Sequence, residues 1–123
     1  MVTRKEIQLI SRRGVLRLTV GEREWTSVVL QAEGTERVLG AEKVGYVSKR
    51  LRDFLEHAAD DDFKWILSLS EAHVRIYGKL TPDGLTLRFY DRKAVHFADL
   101  LISDEEREKW LATLATLETP IMN

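Results

Sequence analysis

Cysteine is missing altogether from this chain of 123 residues. Its absence excludes thiol catalysis, a disulfide framework and cysteine-ligated zinc, and nothing in the chain demands an oxidising compartment. An excess of one charge is missing too: 19 basic side chains stand against 20 acidic ones. Near-neutrality argues against a purely electrostatic partner such as bulk DNA or an anionic membrane surface. No apolar run approaches the ~18 residues of a membrane span. Met1 to Lys5 lead into Glu6 and mixed residues, where a signal peptide would show an apolar core. The expectation is a soluble cytoplasmic protein with no membrane association. The glycines (Gly14, Gly21, Gly34, Gly40, Gly45, Gly78 and Gly84) are scattered, with no G-x-G-x-x-G and no G-K-[ST], so no phosphate-cradling loop is present. Histidine is scarce: His57, His73 and His96 form no pair with metal-ligand spacing, and Asp60-Asp61-Asp62 lacks the spaced ligands and glycine of a calcium loop. No metal and no cofactor are expected.

What is present is enough apolar residue, 44% by the broad count, for one domain of this size to hold a core without a covalent staple. Between Ala41 and Ala59 the residues Val44, Val47, Leu51, Phe54, Leu55 and Ala58 recur at spacings of three and four, the pattern of a one-sided helix. A second helix is announced at S-D-E-E from Ser103. Its serine and Glu106 have the spacing of a capping box, acids crowd the first turn, and Pro120 follows the end. The stripe of this helix is Trp110, Leu111, Leu114 and Leu117.

Elsewhere the period is two. Short apolar or alternating runs are expected as strands at Ile7–Ile10, Leu16–Val20, Trp25–Gln31, a stub at Arg37–Leu39, Trp65–Ser70, Val74–Leu80, Leu85–Tyr90 and Val95–Ile102. T-P-D-G at Thr81 to Gly84 supplies hairpin chemistry between two of them. Each half of the chain is thus about four strands followed by a helix, with the join at Asp60 to Asp62. The expected fold is α+β: antiparallel sheet in two ββββα-type units, residues 1–61 and 62–123 of a single domain, with both amphipathic helices packed on the apolar side. The opposite sheet face is left free.

Closing the Thr81 to Gly84 loop with Leu80 opposite Leu85 places Tyr77 across from Arg88, Arg75 across from Tyr90, and Lys79 across from Thr86. Bases stack on such aromatic faces while cations neutralise phosphates, which suits a single-stranded nucleic acid. The same pairs also stabilise an ordinary solvated sheet by tenths of a kcal/mol to ~1. Arg12, Arg13 and Arg17 form a second basic group that would extend the face into a stripe if the fold brings it near. Trp110 and Trp65 are expected in the core, and Trp25 at a rim or as a stacking platform. Catalytic groupings are thin. Ser68, Ser70, Glu71 and His73 lie close together, but there is no nucleophile elbow, and strand hydroxyls beside a bend histidine account for them. The chain is expected to be no enzyme.

Two stretches, G-L-T-L-R-F-Y-D from Gly84 and L-L-I-S-D-E-E-R-E-K-W-L from Leu100, together with the doubled strand-helix order, resemble the Whirly, Pur-alpha and positive-cofactor group of single-strand binders. The lysine-glycine-lysine signature of Whirly proteins is absent. The resemblance implies single-stranded DNA or RNA binding through the sheet face, often in a dimer, and points to Arg88 and Tyr90. The run Ser103 to Leu114 also resembles the closing helix of a pleckstrin-homology domain, which would imply a lipid-headgroup or protein-binding module. A protein-binding or immunity-type inhibitor needs no motif at all and stands as a further alternative. Exposed sheet edges and small net charge permit a homodimer.

Overall fold

The computed structural model describes residues 5–117. Four strands, β1 (Lys5–Ser11), β2 (Gly14–Val20), β3 (Trp25–Ala32) and β4 (Thr35–Lys43), form one antiparallel sheet in that order. Helix α1 (Val44–His57) follows directly. A second sheet repeats the plan with β5 (Lys64–Ser68), β6 (Arg75–Thr81), β7 (Gly84–Tyr90) and β8 (His96–Ile102), closed by α2 (Asp104–Leu117). The expected α+β fold of two ββββα units is what forms. It is not the seven-strand barrel that a pleckstrin-homology likeness requires.

Each element follows from its residues. In β2, Leu16 and Leu18 are buried while Arg17 and Thr19 face out, as a period of two demands. The β6–β7 hairpin pairs Leu80 with Leu85, Lys79 with Thr86, Tyr77 with Arg88 and Arg75 with Tyr90, the register expected from the T-P-D-G turn. At the start of α2, the Glu106 amide donates to Ser103 Oγ (3.2 Å) and the Ser103 amide to Glu106 Oε1 (2.9 Å), closing the capping box. Helix α1 begins three residues later than its apolar period suggested, because Ala41 to Lys43 extend β4 instead. That strand, expected as a stub, has nine residues. Pro120 lies outside the described residues.

One core joins the units. Leu9, Leu16, Leu18, Val28 and Leu30 of the first sheet meet Ile76, Leu87, Phe89 and Leu100 of the second, with Val47, Leu51 and Leu55 of α1 and Trp110 and Leu114 of α2 between them. Polar bonds fix how the elements seat. Trp110 Nε1 donates to the Ile10 carbonyl (2.9 Å), tying α2 to the first sheet. Ser48 Oγ donates to the Leu114 carbonyl (3.0 Å), and Arg107 Nε donates to the Leu55 carbonyl (2.6 Å), tying the helices together. Among the described residues one isolated bridge, Ala41 with Ser70, runs between the sheets. A bulge at Leu39 turns β4 toward it, and Gly40 at φ +131° makes the approach. A Cβ there would collide with the Ser70 carbonyl oxygen.

Trp65 departs from expectation. Strict alternation from Trp65 through Leu67 to Leu69 would bury the indole, yet it is 44% exposed. The cause is a bulge: Trp65 pairs with Tyr77 and Leu67 with Ile76, so Ile66 is an extra residue and is itself buried. The inserted residue rotates everything before it to the other face. Leu80, expected on the apolar face, is also partly exposed, at the end of β6 beside the turn.

Candidate functional site

The outward face of the second sheet is set by its register. Trp65, Tyr77, Arg88 and Asp99 make one row across the four strands. Ser68, Arg75, Tyr90 and His96 make the next. Lys79, Thr86 and Leu101 make a third, with Phe63 beside Lys79 just before β5. The stripes of both helices pack against the inward side, so these rows lie on the outward one, where Thr86 is nevertheless covered by its neighbours.

The rings on this face are held in place by one another and by cations. Tyr77 and Tyr90 meet edge to face with centroids 5.3 Å apart, and Tyr90 lies 5.7 Å from the His96 ring. The Arg88 guanidinium sits 4.1 Å from the Phe63 centroid, and the Lys79 ammonium lies 5.5 Å from the same ring. Arg50, reaching over from α1, lies 4.8 Å from the Trp65 ring and donates from Nε to the carbonyl of the bulged Ile66 (2.6 Å). Trp65 Nε1 donates to Ser68 Oγ (2.9 Å). Pre-positioned rings lose little conformational entropy when a flat ligand stacks on them.

Charge on the face is mixed but leans positive. Arg88 donates through Nε and Nη2 to Asp99 (3.0 and 3.2 Å), and His96 Nε2 meets Asp99 Oδ1 at 2.8 Å. Burial, the largest single influence on Asp99, opposes its ionisation. The bonds from Arg88 and His96 together outweigh it and hold the carboxyl below the ordinary carboxylate range. The same pairing keeps Arg88 firmly protonated, against a partial desolvation. Arg13, Arg75 and Lys79 enter no ion pair among the described residues.

The anticipated residues divide into two groups. Arg75, Tyr77, Lys79, Arg88 and Tyr90 share the face. Arg13, from the β1–β2 turn, comes alongside it and lines a shallow depression of about 290 Å³ with Phe63, Lys79, Thr86, Arg88 and Asp99. Arg12 is exposed on the same turn. Arg17 is not part of the group. It stands on the outward side of the first sheet, where Nη1 bonds Glu36 Oε2 at 3.0 Å. The basic stripe therefore reduces to Arg13. Trp25 is 40% exposed, also on the first sheet, with Lys43 5.7 Å from its ring.

Phe63, Trp65, Asp99 and His96 were not anticipated on this face. The adjacent apolar pair Ile66-Leu67, inside a strand that otherwise alternates, is the one local signal of the bulge that exposes Trp65. Among the described residues no group of His, Asp and Glu is arranged to hold a metal ion. No helix among them is long and apolar enough to cross a membrane. No family model, curated protein or solved structure matches the chain.

Proposed function

We propose that the outward face of the second sheet binds single-stranded nucleic acid, with Trp65, Tyr77, Tyr90 and Phe63 stacking bases and Arg75, Lys79, Arg88 and Arg13 facing the backbone. The observation that carries this reading is the cluster of rings, each held by a cation or a second ring, on a sheet side that no helix covers. A face built only for its own solvation has no need to expose a tryptophan. Stacking contributes roughly 1–3 kcal/mol per base and tolerates any sequence. The cations free of ion pairs are few. Neutralising about three phosphates on a single strand gives a slope of log K against log salt near −2, far shallower than for a strongly basic binder. Affinity therefore rests chiefly on the rings.

Fluorescence anisotropy with a labelled thymidine oligonucleotide at low and moderate salt tests the proposal. Binding with that shallow slope is expected, together with quenching of Trp65. The double variant Tyr77→Ala/Tyr90→Ala should weaken binding about thirtyfold or more; both rings are partly buried, so the variant's fold is checked by circular dichroism and binding is measured below its melting temperature. No binding by the wild type at low salt overturns the reading and leaves a protein-binding role for the same face.

A further inference from the structure

Beside Trp65 the surface opens into a second cavity of about 180 Å³, between the end of α1 and the β5–β6 pair. This is smaller than the ~300 Å³ at which sites for drug-sized ligands begin, so its occupant is a single small group. The walls specify that group. Trp65, Phe54 and Ala58 supply flat apolar surface, and Gly78 forms the floor, where a Cβ would meet the Phe54 ring. Arg50 contributes guanidinium donors at one side, its orientation fixed by the Ile66 carbonyl and the Trp65 ring. Asp62 contributes a carboxylate acceptor; Asp53, also on the wall, is paired with Lys49 (3.5 Å), and His57 and Lys64 complete the polar lining. A ligand that uses Arg50, Asp62 and the Trp65–Phe54 wall together is a flat group with hydrogen-bond acceptors on one edge and N–H donors on another.

We infer that this cavity receives one guanine base of a strand lying across the sheet face. Guanine presents O6 and N7 to an arginine, and its N1–H and N2–H₂ are an adjacent donor pair that a carboxylate accepts through both oxygens. Adenine, cytosine and uracil lack that adjacent donor pair. Trp65 serves both regions: one side belongs to the row with Tyr77, the other to the cavity, so a strand stacked on the face delivers its next base inward. The inference rests on the nucleic-acid reading of the face and adds a base preference to it.

The test compares a labelled twelve-residue thymidine oligonucleotide with the same strand carrying one central guanine, each titrated into the wild type, Ala59→Phe and Asp62→Asn. Ala59 is exposed at the cavity rim, so a phenylalanine there closes the cavity without disturbing the core; Asp62 is an exposed residue of the connection. The single guanine should tighten wild-type binding about tenfold. Both variants should lose that gain while binding the all-thymidine strand as the wild type does. Binding of both strands with no guanine gain, or a gain that survives in both variants, overturns the cavity assignment and leaves the face intact. Failure of the wild type to bind either strand overturns both.

Discussion

Trp110 and Trp65 show how the same side chain is used in opposite ways. Trp110 is 1% exposed, and its one polar atom reaches the Ile10 carbonyl. Trp110→Phe removes that donor from the part-buried Ile10 carbonyl and opens a small void; a loss of about 1–3 kcal/mol is expected from urea unfolding. Trp65→Ala removes a ring that is 44% exposed yet still more than half covered, together with its bond to Ser68, and a loss of about 1–3 kcal/mol is expected. At Asp99 the carboxyl is held below its ordinary range. Its contribution to stability is therefore full above the unfolded-state pKa near 4 and is lost as pH falls through the lower folded-state value. Urea midpoints measured from pH 6 to pH 2.5 should fall less steeply for Asp99→Asn than for the wild type. The difference will be modest, because Asp99 is partly solvated.

At the scale of single elements, turn and cap chemistry spoke clearly in the sequence. Ser103 and Glu106 closed as a capping box, and T-P-D-G set the β6–β7 register that places Tyr77 against Arg88. Ser103→Ala should lower stability by about 1 kcal/mol, read as a drop in melting temperature of several degrees. What escaped the sequence reading depends on long-range partners. Whether Ala41 to Lys43 begin a helix or end a strand is decided by pairing with Trp25 to Ser27, which the local apolar period cannot register. The bulge at Ile66 is similarly nonlocal: its carbonyl is satisfied by Arg50, sixteen residues upstream on α1. One half of the candidate face, Tyr77 to Tyr90, was thus legible from a hairpin alone. The other half, Phe63, Trp65, Asp99 and His96, needed the strand pairings on either side of it. Arg17 was misplaced because a basic cluster in the sequence carries no record of which sheet each member joins.

Across the whole molecule, neither unit owns its core. Leu9 and Leu16 of the first sheet, Phe89 and Leu100 of the second, and both helices belong to one buried cluster. A single cooperative transition is expected, with far-ultraviolet dichroism and tryptophan fluorescence coinciding in urea; separate transitions would mean that the halves are independent. Gly40 is the point of greatest sensitivity between the sheets. Gly40→Ala must strain a backbone at φ +131° and push against the Ser70 carbonyl, so a loss of more than about 2 kcal/mol is expected.

The spare residue in β5 gives the fold a mechanical option. Because Ile66 is the one residue here without a partner on β6, deleting that single codon would leave Trp65 opposite Tyr77 and Leu67 opposite Ile76 in simple alternation, so the indole would stay outside while the core lost the Ile66 side chain and α1 lost the carbonyl that Arg50 holds. A change of length at this point would therefore alter how the edge strand is anchored to the helix, with no change in the chemistry of any ring on the face.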